Sequence, residues 1–309
     1  MKRNPKQYIF LILKGMAMGA ADVVPGVSGG TIAFISGIYE ELIDSIKNIQ
    51  PSLFKILFSK GFKSFWKALN GNFLLTVFSG IGISIISLAK LITYLLTTYP
   101  HLVWGFFFGL IIASILVVLK KMKKITAIPV LMLITGAVIA YWITTLKPSE
   151  AEVSLGFVFL SGAVAICAMI LPGISGSFIL LLMGMYSYIL EAIKELKLIT
   201  LSVFAGGCLV GLLGFSHFLS WLLKKYHDAA VALLAGFMVG SLNKVWPWKT
   251  TIQYRINSHG EKVPFIQENI SPAAYENPQI GLVIGLALLG FALIYILDKY
   301  APEEKISHS

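Results

Sequence analysis

Apolar residues in this chain come in long, nearly charge-free runs rather than in the spaced pattern of a half-buried element. Phe73–Leu96, His101–Leu119, Ile125–Leu146, Leu198–Leu223, Ala229–Trp246 and Ile280–Leu297 are such runs. Each has about the length that a helix needs to cross a ~30 Å hydrocarbon layer, so the pattern predicts six transmembrane helices. Two further apolar stretches differ. Residues 8–46 are broken at Pro25-Gly26-Val27-Ser28-Gly29-Gly30, and residues 155–193 at Pro172-Gly173-Ile174-Ser175-Gly176-Ser177. A helical arm of about 15 residues on either side of a break would be about 22 Å long. That passes the bilayer midplane without crossing the layer. Each stretch therefore predicts a re-entrant helical hairpin that enters and leaves on one side.

The two breaks are copies. Pro25 and Pro172 are 147 residues apart, and at that offset Gly15 meets Gly162, Ser28 meets Ser175, Gly29 meets Gly176, Gly37 meets Gly184 and Tyr39 meets Tyr186. A weaker echo pairs Phe78-Ser79-Gly80 with Phe204-Ala205-Gly206, and Gly109–Ser114 with Gly236–Ser241. The expected fold is an all-α integral membrane protein with an inverted-topology repeat. Residues 1–150 form one half and 151–309 the other, each a re-entrant hairpin plus three transmembrane helices. Three is odd, so the second half is upside down relative to the first. Inverted repeats with broken helices point to a transporter with its site near the midplane. Two glycine-kinked packing helices with no site are the plainer alternative, and the matched, opposed copies argue against it.

Charge sets the orientation. The chain has 309 residues, 13% of them charged, and a net charge of +10. In a membrane protein such an excess marks cytoplasmic loops and anionic lipid, not nucleic acid. Lys2, Arg3, Lys6 and Lys14 precede the first hairpin, Lys47–Lys67 follow it, and Lys120–Lys124 and Lys224-Lys225 close later runs. These face in, with both termini. The turn at residues 97–100, the loop with Glu150 and Glu152, and the long loop 247–279 face out. The charged N-terminus imitates a signal peptide, but Lys14 interrupts a short apolar stretch and the segment recurs in the repeat. Residues 53–69 alternate Phe58, Phe62, Phe65 and Trp66 with Lys60, Lys63 and Lys67, which predicts an interfacial helix on the cytoplasmic leaflet. Cys167 and Cys208 lie in apolar runs and read as packing residues.

Irregular backbone at membrane depth survives only in protein or beside a wet cavity. The helices that restart after each break would aim their free N–H groups at one central volume, which suits an anion. Gly26, Gly29, Gly30, Gly173 and Gly176 allow close backbone approach, and Ser28, Thr31, Ser175 and Ser177 add hydroxyl donors. These nine residues are the candidate substrate site. No phosphate-binding P-loop, metal cluster or cofactor motif accompanies them, so the expected coupling is to an ion gradient.

The stretch Gly19–Thr31, followed by Gly37-Ile38-Tyr39-Glu40, resembles the signature of the bacterial polyprenyl-phosphate transporter family, long classed as a domain of unknown function. Leu171–Ser177 and Gly184-Met185-Tyr186 fit a second half-motif, so the resemblance covers nearly the whole chain. It implies a multi-pass protein of the bacterial cell membrane that returns undecaprenyl phosphate from the outer to the inner leaflet for cell-envelope synthesis. Its partners would be that lipid and anionic membrane lipids, and a homo-oligomer is compatible with it. The alternatives are a transporter of another anion, a scaffold, and an undecaprenyl-diphosphate phosphatase. The phosphatases carry P-G-x-S-R-S, and here Gly29 and Gly176 stand at the arginine position. An arginine clamp is hard to replace in phosphoryl transfer, so a non-enzyme is expected.

Asp22, inside an apolar arm, is a candidate for coupling because intramembrane acids are costly. Its plain role is to bond free amides across the hairpin. The second copy has Met169 there. Glu40 and Glu41, near the hairpin's exit, are candidate proton relays or ordinary interfacial charges. Lys90 and Lys244 read as snorkelling lysines that would draw a lipid phosphate if they faced the cavity. His217 reads as a packed histidine.

Overall fold

A computed structural model describes residues 3–24, 27–120, 122, 124–148, 152–256 and 262–300. The chain is helical almost throughout. The first half holds α1 (Pro5–Val23), α2 (Gly29–Ile35), α3 (Tyr39–Lys47), α4 (Pro51–Ala68), α5 (Gly71–Thr98), α6 (Pro100–Lys120) and α7 (Ala127–Thr145). The second holds α8 (Leu155–Ile170), α9 (Gly176–Leu182), α10 (Tyr186–Lys194), α11 (Leu198–Lys225), α12 (His227–Ser241) and α13 (Ile280–Tyr300). Between α12 and α13 lie two strands, β1 (Lys249–Ile256) and β2 (Lys262–Asn269), and a 3-10 turn at Pro272–Ala274.

Local chemistry sets several helix starts. Asn4 and Gln7 form a reciprocal capping box with Pro5 in the first turn of α1, and Ser154 caps α8 through the Phe157 amide. The matched elements have matched lengths. α2 and α9 have 7 residues each, α3 and α10 have 9, and α5 and α11 have 28. Tyr99 before α6 and Tyr226 before α12 share the same backbone angles, φ −132° and ψ 51°.

Within each half, the arm before the break packs on the long helix: α1 on α5, and α8 on α11. The next two helices pair across halves, α6 with α13 and α7 with α12. Glycines make all four contacts close. A methyl on Gly15 would overlap the Val77 carbonyl, on Gly162 the Phe204 carbonyl, on Gly109 the Ala287 carbonyl and on Gly236 the Leu133 carbonyl. In lipid, where burying apolar surface between helices gains little, such backbone approach is a main source of helix association. Outward faces stay apolar, as at Ile128, Leu131, Ile134 and Val138 on α7 and Leu282, Leu288 and Leu289 on α13.

Among the described residues five helices, α5, α6, α7, α11 and α13, are long and apolar enough to cross a membrane. The sixth predicted run, Ala229–Trp246, is cut short. α12 ends at Ser241, and the chain turns through Leu242–Val245. The Asn269 side chain bonds Asn243 there, and the Trp246 indole donates to the Ile270 carbonyl.

The expectation of one long arm after each break is also revised. Each return arm is two short helices, and α9 and α10 are bent by 108° to one another. Gly37 (φ +77°) and Gly184 (φ +68°) make the bends, in a conformation that costs other residues more. The first stretch nevertheless returns to where it began. Arg3 forms a two-pronged ion pair with Glu41 of α3, and the Asn70 side chain, just before α5, donates to Glu41 at 2.8 Å. At the other stretch, Val158 near the start of α8 packs with Met185, just before α10, and with Ile189 of α10.

Residues 247–279 are not a plain loop, since the two strands pair antiparallel from Lys249↔Asn269 to Ile256↔Lys262. α4 is bent at Gly61 and leaves Phe58 and Phe62 exposed, with Leu53 its one buried residue.

Candidate functional site

The two breaks meet. The Ser28 hydroxyl donates to the Met169 carbonyl at 3.0 Å, the Gly173 amide donates to the Thr31 hydroxyl at 2.9 Å, and the Tyr39 hydroxyl donates to the Ile170 carbonyl at 3.1 Å. Ser28, Thr31 and Tyr39 are almost fully buried, at 1%, 0% and 2% exposure. Side chains from the first half thus satisfy backbone groups that the second break frees, as burial away from water requires. Tyr39 was visible in the sequence as a repeat position and as part of the signature stretch, but not as a site residue. Gly26 lies outside the described residues.

The copies differ in what they leave free. At the first, Asp22 accepts from the Gly29 amide at 2.7 Å, the Ser28 hydroxyl accepts from the Gly30 amide at 3.1 Å, and the Ser28 carbonyl accepts from the Thr31 amide at 2.9 Å. The start of α2 already has its anion, the Asp22 carboxylate. At the second, Met169 replaces that acid and no side chain caps α9. The Ser175 and Ser177 hydroxyls bond each other at 2.8 Å, and each retains further hydrogen-bonding capacity. Both restarted helices have only seven residues, so the offer to an anion is local N–H and O–H donors, not a long helix dipole.

There is no space for a side chain at the two glycines that stand where the phosphatases have arginine. A Cβ on Gly29 would lie 2.5 Å from the Asp22 carboxylate, and one on Gly176 would lie 2.6 Å from the Ala165 carbonyl. Gly30 is likewise closed by the Ile170 carbonyl at 2.6 Å, and Gly173, with φ +88°, lies against the Phe237 backbone.

The remaining candidates are scattered. Glu41 is neutralised by Arg3 and also holds Asn70. Glu40 lies 3.5 Å from the His227 ring, which contacts Asp228 at 3.3 Å. Nearby, Asp44 pairs with Lys224 at 2.7 Å and accepts from Ser220 at 2.7 Å, tying α3 to α11. Lys90 is exposed on α5. Among the described residues no hydrogen bond or ion pair joins it to either break. His217 bonds the Leu213 carbonyl one turn back.

A cavity of about 340 Å³ lies against α9, between the end of α7 and the β2 strand. Phe178, Leu181 and Leu182 wall one side, and Lys244 and Lys249 reach into it. Lys244 Nζ sits 4.3 Å above the Phe178 ring, and Lys249 Nζ 3.6 Å above the Trp104 ring. Burial, and then the neighbouring Lys244 ammonium, hold Lys249 well below the ordinary lysine range. Lys249 gave no signal in the sequence, because nothing local shows that β1 folds back under α6. A second cavity of about 310 Å³, between α6 and α13 and beside Trp246 and Trp248, has a wholly apolar lining.

Residues 18–263 match a family described as undecaprenyl phosphate translocase-like. A polyprenyl-phosphate transporter from Vibrio cholerae serotype O1 is 52% identical over 301 residues, covering 96% of this chain and 98% of the relative. A polyprenyl-phosphate transporter from Staphylococcus aureus is 36% identical over 258 residues, covering 76% of this chain and 85% of the relative. No solved structure matches the chain.

Proposed function

This chain belongs to the undecaprenyl phosphate translocase-like family, and on that premise we propose that it carries undecaprenyl phosphate from the outer to the inner leaflet of a bacterial cell membrane, for reuse in cell-envelope synthesis. The observation that carries this reading is the meeting of two polar, glycine-rich breaks through Thr31–Gly173 and Ser28–Met169 inside a bundle whose buried side chains are mostly apolar. A phosphate head group needs donors at depth, and a prenyl tail needs only an apolar flank.

The two halves act as inverted repeats. Equal helix lengths, the crossed α6–α13 and α7–α12 pairing, and three intervening helices support that relation. The first hairpin then opens to the cytoplasm, with the lysine-rich α4 along that leaflet and both termini on that side. The second opens outward.

The breaks divide the labour. Ser28, Gly29, Gly30 and Thr31 close the first break with Asp22 and brace the second. Ser175 and Ser177, with Gly173 and Gly176 giving backbone access, receive the head group. Lack of room at Gly29 and Gly176 for an arginine favours transport over phosphoryl transfer. Coupling is to protons, through Asp22 and the Glu40–His227 cluster. Glu41, neutralised by Arg3, is a strut, and Lys90 guides anionic lipid.

Reconstitution tests this. Proteoliposomes are loaded with fluorescent undecaprenyl phosphate, and quenching of the outer leaflet follows its movement, with and without a pH gradient. Movement no faster than in protein-free liposomes under either condition would reject the function.

A further inference from the structure

The cavity beside α9 is unlike the rest of the molecule's polar ends. Lys244 and Lys249 rest on aromatic rings, and among the described residues neither has a carboxylate partner. Lys120 and Lys225 also lie over aromatic rings, but both are exposed, and Arg3 and Lys224 pair with Glu41 and Asp44. Among the described residues Lys249 Nζ donates one hydrogen bond, to the Lys244 carbonyl at 2.6 Å, and Lys244 Nζ donates none. The Lys244 and Lys249 side chains are only part-buried, and the remainder lines the cavity. Among the described residues the other charged groups lining it are Lys147 and Glu268, both exposed, so positive charge prevails among them. The wall is built, not loose. Asn269 bonds the Asn243 carbonyl at 2.7 Å, and Asn243 donates to the Thr144 hydroxyl at 2.9 Å.

Two desolvated ammoniums without an acid are costly, and an anion between them would offset that cost. Lys is a point-charge ligand for phosphate. The position also matters, because Phe178 under Lys244 directly follows Ser177 of the second break. We infer that this cavity is a phosphomonoester-binding site, in which Lys244 and Lys249 hold the lipid head group at the outward end of its path before it reaches Ser175 and Ser177. The lipid origin of the phosphate rests on the transport reading above, whereas the anion site rests on the lysines themselves.

The test uses the full chain in nanodiscs of zwitterionic phosphatidylcholine. Farnesyl phosphate, farnesol and inorganic phosphate are titrated separately, and binding is read by calorimetry. Lys244→Gln and Lys249→Gln should each weaken farnesyl phosphate binding roughly ten- to a hundredfold, the range for one hydrogen bond to a charged group. Farnesol binding should not change, and Lys244→Arg should recover most of the affinity. Lys249 also braces the connector, so if Lys249→Gln misfolds, Lys244→Gln decides. Inorganic phosphate should compete only at far higher concentration. Competition at equal concentration would make the ligand a soluble anion and overturn the head-group assignment. Wild-type binding of farnesyl phosphate by the lysine variants would overturn the site, even with leaflet transport intact. Lysine-dependent binding without leaflet transport would uphold the site and remove the transport reading.

Discussion

Ser28 and Ser175 occupy matched positions, yet their replacement should have different consequences. Ser28→Ala removes one oxygen that does two things: it accepts from the Gly30 amide and donates to the Met169 carbonyl. At 1% exposure, water does not replace either partner. A lost helix cap costs about 1 kcal/mol, and a second buried hydrogen bond about 1 kcal/mol more. The total of about 2 kcal/mol corresponds to a roughly thirtyfold shift toward separated breaks. Amide hydrogen exchange in nanodiscs, read by mass spectrometry over residues 27–35 and 169–178, reports that opening. Exchange should rise by about that factor, and affinity for polyprenyl phosphate and for neutral polyprenol should fall together. Ser175→Ala should leave exchange over residues 27–35 unchanged and weaken only the phosphate lipid, by roughly tenfold or more. The reasoning fails if Ser28→Ala exchanges like wild type while losing phosphate lipid selectively, because its hydroxyl would then face the ligand rather than Met169.

Asp22→Asn keeps an acceptor for the Gly29 amide, so the protein should fold and bind lipid normally while losing the response to a pH gradient; unchanged gradient-driven movement would make Asp22 a cap alone. Phosphate-lipid affinity should be full below the lowered pKa of Lys249 and decline as pH rises through it, because the site then loses a positive charge; titrations across that range that show no decline would place the phosphate elsewhere. A cysteine replacing Lys60 should react with a membrane-impermeant maleimide only from the cytoplasmic side, and one replacing Gln253 only from outside. Gly109→Val should separate α6 from α13, since even a methyl there overlaps the Ala287 carbonyl, and should lower the yield of folded protein in detergent; normal yield would mean that the pair tolerates a wider spacing.

The sequence exposed features that depend on local composition. Five of the six long apolar runs hold helices long enough to span, and Pro-Gly-x-Ser-Gly marked both breaks, where the candidate site was placed. It also exposed the difference between Asp22 and Met169, although not its result, that one break is closed by its own acid. Gly37 and Gly184 were legible as repeat positions but not as bends, because a glycine announces a left-handed angle only once neighbouring helices require it. The β1–β2 pair was hidden in 247–279, where Thr250, Ile252 and Tyr254 alternate too briefly to stand out. Lys249 and the Thr31–Gly173 bond depend on contacts between distant segments. No spacing along one chain encodes them.

The crossed pairing of α6 with α13 and α7 with α12 has a consequence for how the chain is made. During synthesis from the N-terminus, α6 and α7 enter the bilayer long before their partners exist. Gly109 and Gly136 then present bare backbone to lipid until Ala287 and Leu233 arrive. The early half is thus an open clasp, and α13, which leaves the ribosome long after α6, is the helix that fastens it. A chain that stops short of Ile280 would leave the face of α6 that packs on α13 unmatched. Premature termination should therefore yield a substrate for membrane proteases rather than a half-active protein, and the two halves supplied as separate polypeptides should regain function only when they are made together.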